Sequence, residues 1–278
     1  MSESVNVVCL KWGDRYGAFY VNRLYDGVRR NLSRPFRFVC FTDEPEGLVP
    51  GVEVCPVPPR PEGLPEKRKW PTVYTKLSLF KDGCGGLSGP TLFLDIDQII
   101  VGPLDRFFDY RPGEFCIIHN WIERRKLIFR RRPAIGNSSC FRFDAGKMDR
   151  VWRSFAGDLA FAYDKKRFAT EQAFMTWAVG VENVNWWPED WVVSFKRSCH
   201  RVFPFNLMMP PKKPSGASIL CFHGDPSPVE AIPGFTEHHG IRVPLHQRTL
   251  PAPWIEELWI GPEKGDAARG AEKGVSER

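Results

Sequence analysis

The sequence predicts an α/β domain with a central mixed sheet flanked by helices, and three observations carry that reading. The chain opens with strand, helix and strand, each of modest length, the order that builds parallel neighbours in a sheet. Residues 91–101 form an apolar run of β-branched and aromatic residues, bounded by Gly89-Pro90 upstream and Gly102-Pro103 downstream, which reads as a buried strand. The composition, 42% apolar with 26% charged, is that of an ordinary soluble globular protein.

Taken in order, residues 5–10 make the first strand and residues 11–17, rich in turn formers, the loop after it. A helical pattern covers 18–31, a second strand 36–41, and a third short strand 52–57. A Pro-rich connector over 56–71 reads as an ordered surface loop, and the pattern over 72–80 turns helical. After the run at 91–101, residues 114–119 and 139–143 read as strands, and 147–161 and 170–179 as helices. No internal repeat is present. Residues 1–262 are expected to form a single domain. Residues 263–278, charged and without periodicity, are expected to be a disordered tail.

Composition also narrows the function. The net charge of +6 suits an anionic ligand and is too small to argue for nucleic acid. No segment reaches the roughly 18–20 apolar residues of a membrane span, and the short polar N-terminus lacks a secretory pattern. Eight cysteines, at 9, 40, 55, 84, 116, 140, 199 and 221, include no C-x-x-C pair and are expected to be small buried hydrophobes. These features point to a reduced, cytoplasmic protein. The 21 Phe and 10 Trp residues point to an aromatic-rich core.

Within the run at 91–101 lie two carboxylates, Asp95 and Asp97, flanking Ile96. The alternation of a strand would send both to one face. Burying two carboxylates together is unfavourable unless something positive neutralises them. A divalent cation is the simplest answer, because Mg²⁺ or Mn²⁺ takes carboxylate oxygens together with substrate phosphates. The alternative, a solvated pair at a loop edge, is disfavoured by the apolar residues on both sides. The chemistry is that of an enzyme handling a nucleotide or a phosphorylated substrate.

Three segments, Thr75-Lys76-Leu77-Ser78-Leu79-Phe80, Leu92-Phe93-Leu94-Asp95-Ile96-Asp97 and Pro103-Leu104-Asp105-Arg106-Phe107-Phe108, resemble the glycogenin-type glycosyltransferases. That family, glycosyltransferase family 8-like, includes bacterial lipopolysaccharide galactosyltransferases. The resemblance implies the GT-A fold, with a Rossmann-like mixed central sheet, and transfer of a hexose from a nucleotide-sugar, a UDP-sugar foremost, with retention. It extends over about residues 5–230, and the motifs stand in the family's order. Leu10, Trp12, Gly13 and Tyr16 fall where the family binds the base. Asn137 and Ser138 match an Asn-Ser pair that borders the sugar. Glu171-Gln172 matches an acidic residue and Gln before a helix, with Glu in place of Asp. His223, followed by Gly224, matches the His that completes the metal site with Asp95 and Asp97.

The resemblance further implies that Lys76 is a fixed positive charge near the donor phosphates. Gln172 would face the developing positive charge on the anomeric carbon without forming a covalent adduct, and Glu171 would bind acceptor hydroxyls. Glu171 also has a structural explanation, as a first-turn carboxylate at a helix N-terminus. Lys76 and His223 have ordinary readings too, as an exposed helix lysine and a lone strand-end histidine. The pattern departs from the family after His223, where a Lys that contacts the diphosphate is missing. The candidates to replace it are Arg201, Lys212 and Lys213.

Residues 124–132 pack six cations around Leu127, Ile128 and Phe129. Such a run is ordinarily a solvated face. The sharper reading makes Arg124, Arg125 and Arg130 a dock for an anionic or lipid-linked acceptor, peripheral to the inner membrane face. Saccharide and protein acceptors stand beside it. His238-His239 lacks metal spacing to any carboxylate pair and is expected at the surface. Two other functions compete: an aspartate-nucleophile phosphohydrolase, and a non-catalytic nucleotide-sugar-binding protein.

Overall fold

The computed structural model describes residues 4–121 and 134–260. The basic run at 124–132 and the tail expected over 263–278 therefore lie outside the described residues.

The main sheet has seven strands in the order β3-β2-β1-β4-β7-β6-β8. These are β1 (Val5–Lys11), β2 (Phe36–Thr42), β3 (Glu53–Pro56), β4 (Gly89–Leu94), β6 (Cys116–His119), β7 (Gly136–Ala145) and β8 (Asn185–Trp186). β1 runs parallel to both β2 and β4, while β7 is antiparallel to β4 and to β6, so the sheet is mixed. All seven residues of β1 are buried, because both faces of the sheet are covered. Val8, Leu10 and Phe93 face a cluster that includes Phe80, Phe141 and Phe143. Val7, Cys9 and Leu92 face a second cluster beneath the helix α1 (Ala18–Asn31). The rings of Phe93 and Phe141 stack at 4.9 Å, which accounts for much of the aromatic excess as core.

Helix α1 buries Val21, Leu24 and Val28, which share one helix face at spacings of three and four. Each such aliphatic contributes about 2 kcal/mol of transfer free energy. Gly27 allows the closest approach, since a Cβ there would stand 3.1 Å from Ile100. The eight cysteines are all free, six of them buried, in accord with their reading as small hydrophobes. Among the described residues no helix is long and apolar enough to cross a membrane.

The run at 91–101 departs from the expected single strand. β4 ends at Leu94, and Asp95 to Gln98 form a turn in which the Gln98 N–H donates to the Asp95 carbonyl at 3.2 Å. β5 (Ile99–Ile100) then joins a second sheet, ordered β5-β10-β9, with β9 (Val192–Ser194) and β10 (Ile219–Cys221). Apolarity persists across the turn because each half enters a different core. Leu94 packs under α1, whereas Ile99 packs with Phe195, Leu220 and Phe222. Strand alternation is therefore not what sets the two carboxylates.

Candidate active site

The turn after β4 is anchored by its middle residue. Ile96 is buried in the core cluster under α1, and Asp95 and Asp97 flank it, both only partly exposed. The Asp95 N–H donates to the Ser139 carbonyl at 2.9 Å, tying the turn to β7. A carboxylate–apolar–carboxylate triplet thus suits a turn as well as a strand edge.

Lys76 comes from the 3₁₀ helix Val73–Phe80, whose N-terminus is closed by reciprocal hydrogen bonds between Thr72 and Thr75. Its side chain is 7% exposed, and its ammonium lies 2.7 Å from Asp95 Oδ1 and 3.0 Å from Oδ2. It also donates to the Ser138 carbonyl at 3.1 Å. The expected exposed-helix alternative for Lys76 does not hold, since every residue from Tyr74 to Phe80 is buried. Asp97 accepts instead from the Tyr16 hydroxyl at 3.3 Å. Burial and the Asp95 charge push its carboxyl up to about 7, against the lowering effects of Lys76, its own backbone and Tyr16. Burial, then Asp97, raises the Tyr16 phenol as well.

Two carboxylates around one ammonium leave the turn short of positive charge. Its oxygen donors are hard, and a divalent cation is the partner that such a set fits. Asp95 and Lys76 belong with Ser138, Glu171 and Gln172 in one hydrogen-bonded network, with Asp97 beside it in the same turn. Ser138 Oγ donates to Glu171 Oε1 at 2.7 Å, and the Ser138 N–H donates to Gln172 Oε1 at 3.3 Å. Glu171, 8% exposed, opens the helix Glu171–Val179 behind the N-cap Thr170. Its carboxylate is therefore engaged by a serine, as is the amide oxygen of Gln172. Asn137 Oδ1 accepts from the Ser139 N–H at 3.0 Å, near the start of β7.

At the end of β1, Leu10 is a core residue and Trp12 packs partly buried against the same cluster. Gly13 adopts φ +63°, and its N–H donates to Asp43 at 3.2 Å. Between Leu10 and Trp12, the last residue of β1 is Lys11, which is 1% exposed and paired with Glu44 at 2.8 Å. A lone lysine closing an apolar strand is its signal in the sequence.

His223 follows β10 as expected. Its Nε2 lies 2.5 Å from Ser194 Oγ, and its ring stacks on Trp121 at 5.5 Å. Burial, then Lys196 and Arg197, lowers its pKa and so favours the neutral ring that ligation requires. Among the described residues, one group of three metal-type side chains has its ligand atoms within 4.8 Å of one another, and it is Asp225, Glu230 and His238. Asp95, Asp97 and His223 are not gathered in that way. The expected lack of carboxylates around His238 is thus corrected: its Nδ1 is 2.9 Å from Glu230 and its Nε2 3.8 Å from Asp225. Glu230 is satisfied there, because it also accepts from the N–H and hydroxyl of Ser227 in a capping box.

The cation at the His223 edge is also not among those expected. Lys196 Nζ lies 3.3 Å from where a Cβ on Gly224 would stand, and Arg197 adds its charge to the same edge. Both follow Ser194, whose position beside His223 only the pairing of β9 with β10 creates. A cavity of about 570 Å³ lined by Cys55, Arg60, Ser78, Lys81, Cys84 and Trp152 shares no residue with this constellation.

No protein-family model matches this sequence, and no curated protein matches it. Solved structures do. A galactosyltransferase, LgtC, solved in complex with donor and acceptor sugar analogues, superposes with a TM-score of 0.59 at 14% identity, over 94% of this chain and 98% of that one. An active-site variant of LgtC gives 0.54 at 16% identity, over 80% and 89%. The bifunctional glycosyltransferase WbbM, of which 47% is covered, gives 0.53 at 13% identity over 82% of this chain. The mixed seven-stranded sheet and its flanking helices are therefore the GT-A fold of these glycosyltransferases, as the order of the motifs implied.

Proposed function

We propose that this chain is a glycosyltransferase that moves a hexose or related sugar from a nucleotide-sugar, a UDP-sugar foremost, to a saccharide, lipid-linked or protein acceptor, with retention. One observation carries the reading: the Asp95–Asp97 turn, the buried Lys76, and the Ser138–Glu171–Gln172 cluster form one network within a glycosyltransferase fold. Asp95 and Asp97 are the residues that would hold Mn²⁺ or Mg²⁺, with His223 as the third candidate ligand. A bound divalent ion would supply Lewis-acid neutralisation of the leaving diphosphate.

The chain's own residues do the rest. Lys76 orients Asp95 through its ion pair, and the Tyr16 hydroxyl orients Asp97. Leu10, Trp12 and Gly13 border the base, Leu10 through its backbone. Lys196 takes the place of the family's missing lysine against the diphosphate. Gln172 lies at the sugar, where a neutral amide stabilises positive charge without trapping it. Glu171 fixes Ser138 in the free protein and is available to acceptor hydroxyls once that bond opens.

Calorimetry tests the donor half. UDP should bind in the presence of Mn²⁺, fail to bind with EDTA, and fail to bind to the Asp97→Ala variant. Absence of binding under every condition would sink the UDP-sugar assignment. A second reading, a non-catalytic nucleotide-sugar-binding protein, is favoured by the engagement of Glu171 and Gln172 with Ser138. Turnover of UDP-sugars decides between them. Phosphate release from a phosphomonoester would instead favour the phosphohydrolase.

A further inference from the structure

Six large apolar side chains stand exposed within eight consecutive positions: Val202 and Met208 at 74%, Phe203 and Phe205 at 53%, Met209 at 42% and Leu207 at 38%. Elsewhere among the described residues the exposed large hydrophobics are scattered, which is ordinary. The segment 196–213 that carries the patch also holds Lys196, Arg197, Arg201, Lys212 and Lys213, and no Asp or Glu. Glu257, 3.8 Å from Lys213, and Asp225, facing Lys196, offset part of that charge and leave a positive excess.

The loop is built to display these side chains. Asn206, 2% exposed, donates to the carbonyls of Leu245 at 2.7 Å and Arg248 at 2.9 Å. Arg201 Nε donates to the Pro210 carbonyl at 3.2 Å, and the Lys212 N–H to the Cys199 carbonyl at 2.8 Å. Trp254 Nε1 donates to the Pro211 carbonyl at 3.1 Å. The backbone is thus pinned from beneath while its apolar side chains face outward, so little ordering remains to oppose docking.

We propose that residues 201–213 dock this protein on an anionic phospholipid bilayer. The apolar tips enter the interfacial layer and the flanking cations meet the headgroups. Charge complementarity selects this occupant. A second copy would set the same positive segment against itself, whereas an anionic surface matches both its charge and its apolar tip. The place in the fold gives docking a consequence, because the segment leads directly from Ser194, which holds His223, through the turn Phe195–Cys199. The His223 edge of the candidate site is then brought toward the membrane, where a lipid-linked acceptor would lie. Bilayer binding itself does not depend on the transferase reading.

The test is sedimentation of the full chain with vesicles of phosphatidylcholine alone and of phosphatidylcholine mixed with phosphatidylglycerol, without donor or metal. Binding should require the anionic lipid and weaken with salt. The Val202→Ser, Phe203→Ser, Met208→Ser triple variant should lose about tenfold or more in partitioning. Neutralising Arg201, Lys212 and Lys213 to Gln should reduce it by about fivefold per charge. Should the triple variant fold poorly, Met208→Asp alone serves, with Val181→Asp, at an exposed site elsewhere, expected to bind like the parent chain. Equal binding by the loop variants, or no binding to anionic vesicles, would overturn the proposal. So would a dimer in sedimentation velocity that the triple variant abolishes, which would assign the patch to self-association. UDP calorimetry on the same samples fails or succeeds separately, so the two readings cannot be confused.

Discussion

Lys76 shows how much one side chain can join. A buried ammonium bonded to Asp95 and to the Ser138 carbonyl draws three distant motifs into one network. Replacing it with Met removes the charge and keeps the volume, leaving Asp95 without its partner. The expected loss is about 3 kcal/mol of stability, read as a lower midpoint in urea unfolding, together with loss of UDP binding. Lys196 should behave differently. It lies at the rim and holds no core together, so Lys196→Met should weaken Mn²⁺-dependent UDP binding about tenfold, as calorimetry reads it, with the unfolding midpoint unchanged. An unchanged affinity would remove it from the diphosphate site.

Two elements depend on single polar residues. Arg142 on β7, 2% exposed, donates to the carbonyls of Phe107, Phe108, Tyr110, Arg111 and Glu114, and so clamps the helix Asp105–Asp109 and the segment that follows it. Arg142→Leu would remove the side-chain donor to the buried Phe107 and Phe108 carbonyls and release the loop carbonyls after them, and about 3 kcal/mol of stability should be lost in denaturant titration. The short helix Pro228–Ala231 depends on its capping box. Burial tends to raise the Glu230 carboxyl, but the Ser227 backbone, the Ser227 hydroxyl and His238 outweigh it and hold it below its ordinary 4.5. A carboxyl depressed in the folded state stabilises fully above its unfolded value, and that contribution is lost as pH falls through the folded one. Glu230→Gln should therefore lower stability by about 1 kcal/mol at neutral pH, and the difference should vanish in acid. A difference that persisted in acid would show that the pairing is not ionic.

At the scale of the whole molecule, a ligand that binds only the folded chain stabilises it by mass action. Mn²⁺ with UDP at 100 times its dissociation constant should add about 2.7 kcal/mol. For a chain of this size the thermal midpoint should rise by about 5 °C or more in a melting experiment. The Asp97→Ala variant should show no such rise. A rise with UDP and EDTA alike would place the nucleotide on the protein without the aspartate turn.

Much of this was legible in the chain itself, and for a clear reason. Runs such as residues 5–10 and 36–41 are apolar because both faces of the sheet are covered, so β1, α1 and β2 could be read to within a residue or so. The Asp95–Ile96–Asp97 triplet, the Asn137–Ser138 pair and Glu171–Gln172 were legible as motifs because their residue types are unusual among apolar neighbours. What local pattern could not carry is pairing between distant segments. An apolar run does not reveal where it leaves one core for another, so the turn between β4 and β5 was hidden. Nor could spacing show that β9 pairs with β10 and sets Ser194 and Lys196 beside His223, or that Glu230 meets His238. The sequence by itself determined the fold class, the order of the motifs and the carboxylates of the candidate site. Only the tertiary structure decided which cations face them and which apolar side chains stay outside, because burial and charge partners belong to the assembled chain.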